Sequence, residues 1–231
     1  MFRKHLVSIL IILLIIPLMG CGIKNAFFKK KVPPLGEYST VVFAPFEFAE
    51  TSPQYGELPT MISYGIGTKL GVRYKDKTWI FDQSQEVTPV SDKLKELNIS
   101  ARDTFEDIQK ALKLGSAFQA DLVVVGEMEE PKFTKEESGK IEEDKSQVSV
   151  TGAARYYSIH QDALLPINTV IIDVKSGNVI WEGRIVGFKR YKTRYRTGNP
   201  PKSEREETML ADVRRELVAQ VANTMYPPVE K

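Results

Sequence analysis

Few residues in this chain are equipped for chemistry. Among its 231 residues there is one cysteine, Cys21, and there are two histidines, His5 and His160. A lone cysteine forms no internal disulfide. His160 has no second histidine or cysteine at ligand spacing, which excludes the usual zinc donor sets and a cysteine–histidine nucleophile pair. The run Gly65-Ile66-Gly67-Thr68-Lys69-Leu70-Gly71 looks like a phosphate loop. It fits neither G-x-G-x-x-G nor the Walker spacing, and it lies within a helical stretch instead of between strand and helix. It reads as close helix packing and a cap. No S-x-x-K with its companion motifs is in place. The expectation is a chain with no catalytic residues, no metal and no cofactor.

The residues that stand out instead are Phe188 to Arg196 (FKRYKTRYR). Alternation with period two puts Arg190, Lys192, Arg194 and Arg196 on one strand face and Lys189, Tyr191, Thr193 and Tyr195 on the other. Four like charges in a row repel unless something anionic lies opposite. Two readings stand. Acids of the 127 to 144 region (Glu127, Glu129, Glu130, Glu136, Glu137, Glu142, Glu143, Asp144) pair with the cations across strands, or the face binds an anionic lipid, glycan or protein partner.

Composition narrows the partner. The chain has 32 basic and 30 acidic residues, and Arg3 and Lys4 account for the surplus of two, so the sequence from Cys21 onward is neutral. A neutral chain gives no support for nucleic-acid binding. The 42% hydrophobic content is that of an ordinary globular protein.

Arg3 and Lys4 open a leader. Leu6 to Met19 is apolar apart from Ser8, with an unbroken aliphatic run over Ile9 to Ile16. As a helix these residues rise about 21 Å, short of the ~30 Å hydrocarbon core, so the layout is that of a signal peptide. The run ends in Leu18-Met19-Gly20-Cys21, which resembles the lipobox of bacterial lipoproteins. The resemblance implies residues 1–20 removed, Cys21 lipidated, and 21–35 as a tether to the membrane. Gly22 in place of Asp implies transfer to the outer membrane, with the chain on its periplasmic face. Phe27-Phe28-Lys29-Lys30-Lys31 is either a second weak contact with anionic headgroups or a solvated linker.

The elements that must position the basic face follow from periodicity. Tyr38 to Phe48 reads as one strand, apolar on both faces at Val41 to Phe43. Leu58 to Leu70 reads as a helix with Leu58, Met61, Ile62 and Ile66 inward, and Lys77 to Asp82 as a strand. Asp103 to Leu114 reads as a helix with Asp103 and Glu106 as a capping box, Phe105, Ile108 and Leu112 inward, and Gly115 as its stop. Asp121 to Gly126 is a further buried strand. Beyond it lie a charged stretch over Pro131 to Lys145 with a turn at Ser138-Gly139, and strands over Val148–His160, Leu165–Val174 and Val179–Arg196. The last two are joined as a hairpin at Lys175 to Asn178. Ser203 to Met225 closes the chain as a helix with Ser203 and Glu206 as a capping box and Leu210, Val213, Leu217 and Val221 inward. The fold class is a single α/β domain over 36–228. It has a three-layer-like mixed sheet, a βαβαβ first half, an antiparallel strand meander and a C-terminal helix.

Three stretches carry a resemblance: VVFAPFEF, LKLGSAFQADLVVVGEM and INTVIIDVKSGNVIWEG. They resemble the periplasmic α/β domain shared by the curli-secretion lipoprotein, the lipoprotein activator of penicillin-binding proteins and the amino-terminal domain of TolB. Gly115 to Gly126 and Asp173 to Trp181 are the most specific pieces. The resemblance implies a non-enzymatic accessory factor that binds envelope proteins in assembly or export. The alternative it implies is a self-associating, ring-forming secretion component. The charged stretch at 131 to 147 departs from the compact members.

Overall fold

A computed structural model describes residues 37–50, 52–82, 89–149, 152–196 and 202–226, without the side chains of 138–149, 152–156 and 196. Residues 33–231 form one compact unit. The leader, Cys21 and the Phe27-to-Lys31 segment lie outside the described residues.

The strands are β1 (Thr40–Phe43), β2 (Glu47–Phe48), β3 (Thr78–Ile80), β4 (Leu122–Met128), β5 (Lys132–Ser149), β6 (Gly152–Asp173) and β7 (Val179–Arg196). The helices are α1 (Leu58–Arg73), α2 (Val90–Leu97), α3 (Ala101–Glu106), α4 (Ile108–Ala117) and α5 (Glu206–Met225). All seven strands join one mixed sheet. β1 runs parallel to β3 and β4, whereas β6 runs antiparallel to β4, β5 and β7. Val41 to Phe43, Leu122 to Val125 and Val170 to Ile172 are central, as their apolar runs predict.

Strand alternation divides the core into two layers. Val42, Ala44, Val123, Val125 and Ile172 pack against Val90, Leu94, Ala101, Ala111 and Leu114 of α2, α3 and α4. On the opposite side, Phe43 meets Trp79, and Trp79 meets Tyr226 just past α5. Here α1 and α5 pack on the sheet and on each other. A Cβ at Gly67 would lie 2.2 Å from the Phe81 ring, and one at Gly65 3.0 Å from Val218, so the Gly65 to Gly71 run is packing, not a phosphate site.

The two most specific stretches of the resemblance are architectural. α4 lies so close to the sheet that a Cβ on Gly115 would come within 2.5 Å of both Val123 and Val174. Gly115 is thus inside α4 instead of ending it, and the reversal comes at Gln119, with φ 52°. Asp121 then accepts the N–H groups of Ser39 (2.7 Å) and Thr40 (2.9 Å), tying β1 to the start of β4. In the turn after β6, Asp173 accepts from the Ser176 N–H (2.8 Å) and the Tyr38 hydroxyl (2.9 Å), and Gly177 takes φ 72°.

Several boundaries differ from those read from periodicity. Ala44-Pro45-Phe46 splits the first strand into β1 and β2. α2 lies where periodicity assigned no element, and Asp82, two residues past β3, accepts from the Ser91 N–H in its first turn (2.8 Å). The expected helix over 103–114 is two helices, because Asp107 is extended (φ −133°, ψ 107°) and its side chain caps α4 at Gln109. The capping box is Ser100 with Asp103, not Asp103 with Glu106. α5 starts after Arg205 with no side-chain cap, so Ser203 and Glu206 form no box. Met61 and Ile108 are exposed, not inward.

The largest difference is in the second half. β5 runs straight through Ser138-Gly139 with a register shift in place of a turn, and β6 is one strand of 22 residues through Pro166. Along one edge β6 pairs with β4 over Ile167–Asp173 and with β5 over residues 152–164. Pro166 lacks an N–H and sits at that change of partner, where its carbonyl accepts from Glu129 (3.1 Å). β7 pairs along the other edge of β6. The outcome is a three-strand antiparallel arm continuing the core sheet.

Candidate functional site

The site is built on the arm, where register decides which side chains share a face. Arg190 lies opposite Asp162, Lys192 opposite His160, and Arg194 opposite Ser158. On the other side of β6, Thr134 lies opposite Asp162, Glu136 opposite His160, and Ser138 opposite Ser158. The sequence-predicted cations Arg190, Lys192 and Arg194 therefore share one exposed face, with backbone alternation continuing it to Arg196, whose side chain is outside the described residues. The face is the one that α2, α3 and α4 cover nearer the core.

Arg190 is anchored. Its Nε donates to Asp162 Oδ1 (2.7 Å), a terminal nitrogen donates to Oδ2 (2.6 Å), and the guanidinium lies 5.6 Å from the centre of the Phe188 ring. This bidentate bond holds the Asp162 carboxyl below the usual range and raises Arg190 further. Its partner comes from β6, not from the acids of 127 to 144. β5 stands on the far edge of β6, about 9.5 Å from β7 at ordinary strand spacing. Of those acids, Glu129 pairs with Arg184 (2.5 Å) and Lys132 (3.5 Å), Glu137 with Lys135 (3.3 Å), and Glu130 accepts from Ser52.

Nearer the core, the other face of the arm is covered by α5 and the segment before it. Gln161 exchanges two bonds with the Glu204 backbone (3.1 and 2.8 Å), and Tyr191 donates to Asp212 of α5 (2.7 Å). Burial, then the Asp212 carboxylate, pushes the Tyr191 phenol well above its ordinary pKa. Gly187 allows α5 its approach: a Cβ there would lie 2.7 Å from the Val213 carbonyl. Farther out, Tyr157 stacks on Tyr195 with ring centres 5.6 Å apart.

Register also aligns Ser158, His160 and Asp162, an arrangement the histidine count alone had not singled out. Their S-x-H-x-D spacing on a strand is the available signal. Ser158 Oγ lies 3.3 Å from His160 Nε2, which resembles a nucleophile beside its base. Two features prevent that chemistry. Among the described residues the His160 ring bonds Ser158 and no carboxylate, and Asp162 accepts from Arg190 instead, so Asp162 does not orient the ring. β6 is paired on both edges over these residues, so its amides are committed to the ladder and form no oxyanion hole. Among the described residues, no group of three His, Cys, Asp or Glu side chains is placed to hold a metal ion. Also among them, no helix is long and apolar enough to cross a membrane.

No family model and no curated protein matches the sequence. Among solved structures, the chain is similar to lipoprotein GNA1162 from Neisseria meningitidis at 12% identity, over 80% of this chain and 99% of that one, with a TM-score of 0.41. It is similar to LpoB of E. coli at 12% identity, over 67% of this chain and 57% of that one, with a TM-score of 0.38. A PelC dodecamer from Paraburkholderia phytofirmans matches at 15% identity, over 84% of this chain and 88% of that one, with a TM-score of 0.36.

Proposed function

We propose that this chain is a non-enzymatic lipoprotein, held by a lipid on Cys21 at the periplasmic face of the outer membrane, that recruits an envelope protein through its basic arm face. The observation that carries the reading is the two-sidedness of the arm. One face is covered by α5 at Gly187 and Tyr191 and supplies folding contacts there, while the other carries Arg190, Lys192 and Arg194 with their side chains exposed. A partner with an acidic surface fits that face, and such complementarity sets association rate and orientation more than affinity. The leader and the Leu18-to-Cys21 run support the anchor. A photocrosslinking residue at position 194, activated in intact cells, tests the reading. One reproducible adduct supports it, and no adduct counts against it.

A second reading is assembly into a ring. Its support is the pairing pattern: among the described residues β5 pairs only with β6, and so does β7, leaving two long open edges. Such edges accept a further strand unless they are guarded. Sedimentation of detergent-extracted protein separates a ring from a monomer. The charge density of 131 to 147 and the basic face argue against strands inserted in a bilayer on their own.

A further inference from the structure

α1 has two apolar stripes, whereas a surface helix needs one. Leu58, Ile62, Ile66 and Leu70 are buried against the sheet. A second stripe, at the helical spacing 61, 64, 68 and 72 and apolar apart from Thr68, faces outward, with Met61 43%, Tyr64 42% and Val72 72% exposed. Between this stripe and Val218 of α5 runs an open groove of about 640 Å³. The charged side chains lining it are all basic: Lys69, Arg73 and Arg215, joined by Arg214 farther along. α1 carries no acid in its 16 residues. Most of the cations are held at the rim, Arg73 by the Tyr226 carbonyl (2.9 Å), Arg215 by Asp212 (3.3 Å) and Arg214 by the Met61 sulfur (2.7 Å).

The entry of the chain into the domain marks which end of the groove is tethered. The Tyr38 carbonyl accepts from Lys77 (2.6 Å), and the Lys77 ammonium stands 6.0 Å from the centre of the Tyr226 ring. Tyr226 is also the residue that fixes Arg73. Glu37 therefore lies at the Val72–Arg73 end, and the stretch from Cys21 to Glu37 spans at most about 55 Å. A two-fold contact between copies would set cations against cations.

We infer that the α1–α5 face is a second membrane contact, with Met61, Tyr64 and Val72 seated at the headgroup boundary and the rim cations against anionic phospholipid headgroups. The inference rests on the anchored reading for its orientation, and its test does without the lipid. In the full chain with Cys21→Ala, Thr68→Cys supplies a single thiol for an environment-sensitive dye, and Gln109→Cys on α4 supplies the comparator. Vesicles of phosphatidylglycerol with phosphatidylethanolamine should shift the Thr68 dye to the blue and leave the Gln109 dye unmoved. Pure phosphatidylcholine should shift neither, and high salt should reverse the effect. Lys69→Glu with Arg214→Glu should weaken the response more than about tenfold, at roughly fivefold per neutralised charge, with melting unchanged. No shift at Thr68 on the anionic vesicles overturns the inference. So does an equal shift at Gln109, which reports adsorption through the leader. A Thr68 shift that grows with protein concentration and needs no vesicles assigns the face to a second copy instead. A crosslink from position 68 to a protein in place of lipid assigns it to a protein partner. Retention of the chain on membranes in high salt, with and without Cys21→Ala, is measured separately by fractionation and reports on the anchor, because headgroup attraction is screened there.

Discussion

Arg190 and Asp162 face each other across β7 and β6, and the guanidinium donates two parallel hydrogen bonds of 2.7 and 2.6 Å to the carboxylate. The pair fixes one cation of the basic face with an acid from the adjoining strand. The Arg190 side chain is 58% exposed and that of Asp162 18%. Pairs this exposed contribute about 0 to 1 kcal/mol. Asp162→Asn should therefore lower the midpoint of urea unfolding only slightly; a loss of several kcal/mol would show the pair to be a folding element.

Acid should weaken the fold through a small set of carboxylates. Asp103 is held low by Lys110 and the Ser100 cap, Asp162 by Arg190, and Asp173 by the Ser176 N–H and the Tyr38 hydroxyl. A carboxyl whose folded pKa lies below its unfolded value of about 3.9 stabilises the fold above that value, and the contribution is lost as pH falls through the folded pKa. Melting temperature should be flat from neutrality to about pH 4 and fall below it. Asp103→Asn should make the fall shallower, and an unchanged slope would remove Asp103 from the account.

Glycines separate close packing from helix propensity. Gly115→Ala places a methyl 2.5 Å from Val123 and Val174 and should cost about 1 to 3 kcal/mol. Gly71→Ala, also helical, meets only Trp79 at 3.6 Å and should be neutral or stabilising by up to ~1 kcal/mol. Equal effects in chemical denaturation would contradict the packing described for α4.

Ser158 should not behave as a nucleophile. A fluorophosphonate probe should leave it unlabelled, since Ser158 is 1% exposed and, among the described residues, no carboxylate bonds the His160 ring. Stoichiometric labelling abolished by His160→Ala would reopen an enzymatic reading.

Much of this was legible in the sequence, for local reasons. Val41 to Phe43 and Leu122 to Val125 are short continuous apolar runs, the mark of strands buried on both faces. The basic face was legible because FKRYKTRYR alternates with period two. Its acid was not, because the pairing of Arg190 with Asp162 depends on register between residues 28 apart. β5 escaped notice because residues 132 to 137 are exposed apart from Phe133, so no buried face imposes alternation there, and its charged residues read as loop. The break at Asp107 was hidden by an unbroken amphipathic pattern across α3 and α4. Met61 looked inward because it adjoins Ile62, and its exposure is set by where α5 packs.

The anchor has a direct chemical test. Cys21→Ala should move the protein from the membrane pellet toward the soluble fraction under high salt, where headgroup attraction is screened. Undiminished retention under those conditions would sink the lipid-anchor reading.

The central claim is that the open arm face binds a partner and is not needed for folding, and Lys192→Gln with Arg194→Gln tests it most directly. The double variant should melt nearly as the parent does, while the yield of partner crosslinked in intact cells drops severalfold. Unchanged melting with unchanged partner recovery would contradict the account and leave the face as ordinary solvated surface.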